Sequence, residues 1–303
     1  MLTRVLETAL PVFIALFLGI LCRKRQMLTR TGVDALKKVA VDIALPAELL
    51  TAFAGAEYSA GGIRIPAVMF AVCLAALFLG KGLRKVLRIE STRMPYLMTG
   101  FEAGMMGYGL YALLHPDGMA DFAILDLGQV LFVFTVFKLS ISGKGKGKQI
   151  LREAFSSPVL WAIIAGVILG ASGAFEALKP CGVSAVIESV AGFIAAPAGC
   201  LILLTVGYDL DLKGIHWNRV LTYTGLRILI MGVLGGLVWL LNRTAFGGAV
   251  QPGALILMMS LPAPFLIPVF ADVEEEKSDI ASTLSVMTLF CIAVFALLAA
   301  IGM

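Results

Sequence analysis

Two short stretches hold most of the residues able to do chemistry. The first reads Thr99-Gly-Phe-Glu-Ala-Gly-Met-Met-Gly-Tyr-Gly109 and sets one carboxylate, Glu102, among glycines. The second reads Ser260-Leu-Pro-Ala-Pro-Phe-Leu-Ile-Pro268 and clusters Pro262, Pro264 and Pro268. Glycine permits the dihedrals that end a helix. Proline lacks an amide donor and clashes with the preceding turn. Both stretches lie in apolar sequence, where unwound backbone is tolerated only if it is buried in protein or lines a protected cavity. Freed amides and the positive ends of half-helices can hold an anion there, and freed carbonyls can hold a cation. Thr99, Gly100, Glu102, Gly104, Gly107, Ser260, Pro262 and Pro264 are therefore candidate substrate- and ion-binding residues, with Gly109 and Pro268 as helix-break positions. The plainer alternative is a pair of kinked helices packed closely through small residues.

Other ionisable residues in apolar sequence need an account, because each carries an insertion cost of about 2.5–3.5 kcal/mol at a helix centre. Glu102 lies about eight residues, roughly 12 Å, from the inner end of its segment. It is expected to take and release a proton or to ligate a cation; the alternative is a hydrogen-bonded carboxyl that braces the crossing. Asp42 precedes Pro46 by one helical turn and is a second candidate for a cation site or for bonding groups the proline frees. Arg227 lies about two turns into its segment and could grip a substrate carboxylate bidentately. Snorkelling, or pairing with an intramembrane acid, is the competing reading. Lys138 is expected to snorkel, and His115 and His216 fall at segment ends. Asp126 has no evident partner in the sequence. Pro46 and Pro197 are two further expected helix breaks.

The elements that must position these residues follow from composition. Of 303 residues, 59% are hydrophobic and 15% charged, and the mean hydropathy is +0.95. A soluble fold of this size cannot hide so much apolar surface. The expectation is an all-α integral membrane protein with ten transmembrane helices. The segments run over roughly 5–22, 35–56, 63–80, 94–114, 119–141, 154–175, 185–208, 220–241, 252–271 and 280–302. The second is the least apolar, because Lys37, Lys38, Asp42 and Glu48 fall within it. Sixteen of the 24 Lys and Arg residues fall in loops after odd-numbered segments. The positive-inside rule then puts those loops in the cytoplasm and both termini outside, in a multi-pass protein of the plasma membrane.

The two halves of the chain match. Pro11-Val12 has Gly19 eight residues on, and Pro158-Val159 has Gly166 eight residues on. Ile43-Ala44-Leu45-Pro46-Ala47 is answered by Ile194-Ala195-Ala196-Pro197-Ala198. Residues 1–141 and 153–303 therefore read as two five-helix repeats around a cytoplasmic linker, 142–152. Its Ser142-Gly-Lys-Gly-Lys-Gly-Lys148 has the wrong spacing for a phosphate loop. An odd number of spans per repeat inserts the second copy upside down, and the interrupted segments four and nine then meet near the midplane.

At these residues the chain resembles the auxin efflux carrier family, which includes plant PIN carriers and bacterial malate-permease-like proteins. Leu10-Pro11 through Gly19 looks like that family's first helix, Ala44-Leu45-Pro46-Ala47 like its second, and Ala196-Pro197-Ala198 through Asp209-Leu210 like its seventh. In the family's Asn-x-Gly-x-x-Gly-x-Pro pattern, Gly104 and Gly107 match the glycines, Glu102 stands at the Asn position and Gly109 at the Pro position. Pro262 and Pro264 resemble its broken ninth helix. The resemblance implies a ten-helix carrier with two crossing broken helices that moves small organic anions by elevator-type alternating access.

The expected function is accordingly a secondary active transporter for a small organic anion, malate-like or auxin-like, with sodium or a proton as coupling ion. A channel and a sodium/proton antiporter-like ion carrier are the alternatives. No His-Glu-x-x-His or Gly-x-Ser-x-Gly motif supports an intramembrane enzyme. The five cysteines form no close pair that would suggest a disulfide or zinc site. No cofactor and no metal centre are expected. The expected partners are the organic acid, the lipid bilayer and, as a homodimer, a second copy of the chain; nucleic acid is not among them.

Overall fold

The computed structural model describes residues 2–56, 64–142, 156, 158–210, 216–265, 267 and 274–303. The expected linker lies almost wholly outside them, and Pro268 lies outside them too. Every regular element described is a helix. From the N-terminus, α1 spans Leu2–Lys24, α2 Arg30–Val39 and α3 Leu45–Ala54, with a π turn, Ala40–Ala44, between the last two. Next come α4, Arg64–Val86, and α5, Met94–Leu97. A π turn at Ala103–Gly107 leads into α6, Tyr108–Leu114. Then α7, Met119–Phe132, continues through a π turn, Val133–Phe137, into α8, Lys138–Ser142. The remainder are α9 (Pro158–Ala171), α10 (Ala174–Ala177), α11 (Val183–Ala195), α12 (Ala198–Asp209), α13 (Trp217–Thr244), α14 (Pro252–Ser260) and α15 (Glu274–Ile301).

Among the described residues, five stretches are long and apolar enough to cross a membrane: Arg64–Val86, Asp121–Ile141, Val183–Asp209, Trp217–Thr244 and Ser278–Ile301. Four of the five expected segments not among them, all but the one at 5–22, have local causes. The segment expected at 35–56 is helical without a gap over 30–54, its π turn included, but Lys37, Lys38, Asp42 and Glu48 keep it from being apolar enough. That at 94–114 is unwound over 98–102, and in that at 252–271 the helix α14 stops at Ser260, with 266 and 268–271 outside the described residues. The sixth, Pro158–Ala171, is only 14 residues long.

The chain divides into two compact units. Unit 1 takes Met1–Ile63, Gly104–Ile124 and Arg152–Asp209; unit 2 takes Arg64–Ala103, Leu125–Leu151 and Leu210–Met303. Each therefore draws on both halves of the sequence.

In unit 1, α1 packs along α12 and α9 along α3. Glycines make both approaches possible. A Cβ on Gly19 would overlap Leu204 O and Tyr208 N, and one on Gly166 would come 2.7 Å from Phe53 Cβ and 2.8 Å from Leu50 O. These are the two glycines matched between the halves, and both do the same work. The π turn accommodates Pro46: Leu45 N–H reaches back five residues to Ala40 O, and Pro46 falls in the first turn of α3, where its missing donor is harmless. Thr29 caps α2 through Gly32 N at 3.1 Å. Lys37 and Arg30, the latter at 2.5 Å, both pair with Asp209 at the end of α12. That pairing gives Lys37 a partner at the poorly apolar start of segment two.

In unit 2, α4 packs on α5 and α13, and α13 packs on α14 and α15. Asp279 holds the start of α13 to α15 through His216 Nδ1 at 2.6 Å and Arg219 at 2.8 Å. At the other end of α13, buried Asn242 donates to Val250 O and accepts from Val250 N, both at 2.9 Å. This reciprocal pair fixes the turn that launches α14. Asn242→Ala is expected to destabilise the protein by about 1–2 kcal/mol, measured as a lower unfolding midpoint in detergent. An unchanged midpoint would show that the turn holds without it.

Candidate functional site

The site is built where two helices of unit 2 stop. The α5 helix ends at Leu97, and the backbone stays unwound over 98–102 before the π turn. At Ser260 α14 ends, and the chain is extended over 262–264. Pro262 and Pro264 explain the second stop, since neither can donate to a preceding turn. Gly100 explains the first. Its φ of +67° lies in the left-handed region, which a side chain disfavours by about 1–2 kcal/mol per residue.

The two unwound pieces meet. Glu102 N–H donates to Pro262 O at 2.9 Å. Phe265 N–H donates to Glu102 Oε2 at 2.6 Å. A Cβ on Gly100 would stand 2.9 Å from Pro264 Cγ and 3.1 Å from Cδ, so Gly100 is required by proximity as well as by dihedral. Half-buried Glu102 thus satisfies an amide beyond the proline pair while its own amide satisfies a carbonyl within it.

Arg227, from α13, closes the arrangement. It is 3% exposed. Its Nη1 donates to Leu97 O at 2.7 Å. Nη2 donates to Gly100 O at 2.7 Å and Leu261 O at 2.9 Å, and Nε donates to Leu261 O at 3.3 Å. The Phe101 ring centroid lies 5.6 Å from the guanidinium carbon, within cation–π range. Its acceptors among the described residues are all main-chain carbonyls. Leu97 O and Leu261 O lie at the C-terminal ends of α5 and α14, and Gly100 O lies in the unwound stretch beyond α5.

The remaining candidates are distributed as follows. Thr99, fully buried, donates to Cys73 O on α4 at 2.5 Å. Ser260 donates to Leu257 O at 2.8 Å and lies 3.5 Å from Cys291 Sγ. Gly104 and Gly107 fall in the π turn at 103–107, which belongs largely to unit 1. Gly109 lies inside α6, past the interruption, where its Cβ position is 3.5 Å from Gly199 Cα. Asp42 is half-buried in the π turn of unit 1, so the carboxylates expected to share ion chemistry belong to different units. Pro197 marks the short interruption between α11 and α12. Lys138 is half-buried at the start of α8, and His115 lies with its ring centroid 5.6 Å from that of Tyr111.

One residue of the site, Gln129, and its pairing with Asp126 escaped the sequence reading. Gln129 Nε2 donates to Phe101 O at 3.1 Å, on the unwound strand, and to Asp126 Oδ1 at 3.0 Å. Both side chains are buried. Gln129 Oε1 has no partner among the described residues. The signal was present: two polar residues three apart share a helix face in an otherwise apolar stretch.

The long apolar helices make this a multi-pass membrane protein, and its likeness to a known protein places it with membrane transport. The chain is similar to an uncharacterized transporter of Methanothermobacter thermautotrophicus, with 24% identity over 290 residues, 91% of each chain. No protein-family model matches the chain.

Proposed function

We propose that this protein is a secondary transporter that moves a small organic anion, of the dicarboxylate or auxin-like class, by elevator-type alternating access. The observation that carries the reading is the meeting of two unwound segments, whose backbone bond and Arg227 clamp lie wholly within unit 2. Interrupted helices supply amides and half-helix ends, the groups with which transporters hold small ions. The likeness to a transporter over 91% of the chain supports the class. Gly19 and Gly166, doing equivalent work in unit 1, support the ten-helix inverted repeat. The resemblance to auxin efflux carriers supplies the substrate class and the elevator motion.

Glu102 acts in this reading as a brace whose carboxylate holds the Phe265 amide. The test is counterflow in proteoliposomes. Labelled malate or an aromatic acid should accumulate transiently against an internal pool of the same unlabelled acid. Ohmic single-channel currents, or no exchange with any organic acid, would overturn the proposal.

A further inference from the structure

The carbonyls of Leu97, Gly100 and Leu261, at or just beyond the last turns of α5 and α14, face one place, where they accept from different nitrogens of a single guanidinium. Convergent carbonyls at half-helix C-terminal ends are what a bare monovalent cation binds in interrupted-helix carriers. In this protein the point is occupied by the guanidinium of Arg227, which is covalently attached and 3% exposed. Four hydrogen bonds leave it a single uncommitted N–H, on Nη1.

We propose that Arg227 is a resident cation that takes the place of a coupling metal ion, so that the carrier needs neither sodium nor potassium. Its charge offsets the negative end of α14 and the partial charges of the unwound carbonyls for as long as it stays bonded to them. A diffusible ion would leave those carbonyls without a partner in low dielectric each time it departed, which is costly. A tethered guanidinium never departs. It is carried on α13, a 28-residue helix packed on α4, α14 and α15 of the same unit, so charge and carbonyls travel together. The same bonds assign Arg227 a positioning role at the crossing in place of a grip on substrate. Of the coupling ions expected from the sequence, sodium therefore drops out. This inference rests on the carrier reading for its functional meaning but not for its structural content.

The test uses the purified full-length protein in detergent and in proteoliposomes. Wild-type unfolding midpoint and transport should be the same in sodium, potassium or N-methylglucamine chloride at equal ionic strength. Arg227→Ala vacates the carbonyls. Its transport should fall at least about tenfold, and both its midpoint and its transport should rise with sodium or methylguanidinium but not with N-methylglucamine. Arg227→Met refills the volume without the charge, and should stay impaired and unresponsive to cations. Recovery in Arg227→Met alone would assign the residue to packing. A wild-type midpoint or transport rate that climbs with sodium would overturn the proposal even if no variant folds, as would a folded Arg227→Ala indifferent to every cation. If the wild-type midpoint is independent of cations and no organic acid exchanges, the transporter reading fails while the resident cation stands.

Discussion

Gly100→Ala should abolish transport and destabilise the protein by about 2–5 kcal/mol. Two independent penalties meet at this position. A φ of +67° places any Cβ in the left-handed region, and the Cβ itself would fall 2.9 Å from the Pro264 ring. The ring is not the mobile end of a flexible side chain, so relief requires the extended segments to separate. Separation strains the Glu102 N–H bond to Pro262 O and moves Gly100 O off Arg227. The measurement pairs the unfolding midpoint with counterflow. Gly82, whose Cβ would meet nothing within 4 Å inside α4, is the control: Gly82→Ala should leave exchange unchanged and raise the midpoint slightly, by about 0.5–1 kcal/mol of stability. Near-normal exchange by Gly100→Ala would mean that the close approach at Pro264 is not what the site depends on.

The second large effect is expected at Glu102, where two substitutions separate shape from charge. Glu102→Ala removes the acceptor for Phe265 N–H and leaves that amide unsatisfied. The expected loss is about 2–3 kcal/mol, with exchange reduced to background. Glu102→Gln keeps an oxygen for the amide and loses only the charge. It should retain exchange within a few-fold of wild type and the wild-type dependence on pH. A Glu102→Gln protein that is stable but has lost its pH dependence would instead make Glu102 the proton carrier of the cycle, and the brace reading would fail.

Much of the site could be read from residue types. Gly100, Glu102, Pro262 and Pro264 were selected because each breaks a helix or resists burial, and the structure joins all four. The matched glycines were likewise legible, since close helix approach demands a missing Cβ. Partner choice was not. Nothing in the chain says that Arg227 would spend its donors on main-chain carbonyls and not on a carboxylate, because carbonyl positions depend on where helices stop, to the residue. Asp126 looked unpartnered because its partner, Gln129, carries no charge and so attracts little notice in a hydropathy profile. Gly109 was placed one turn too far into the break, because glycine permits an interruption without requiring one. Hydropathy also does not show where a helix stops: the proline pair after Ser260 leaves mean hydropathy untouched while ending α14.

The clamp on Leu97 and Gly100 has a consequence for biogenesis. Gly100 and Arg227 are 127 residues apart in sequence. At about 5–20 residues per second, a ribosome needs roughly 6–25 s to deliver the second after the first. During that interval α4 and α5 are already made, with the carbonyls of Leu97 and Gly100 still lacking the guanidinium they will bind. Unit 1 has all of its chain once residue 209 has been synthesised, whereas unit 2 waits for the C-terminus. The nascent protein therefore has its first unit complete beside a half-built second one, and the arrival of α13 is the event that closes the crossing.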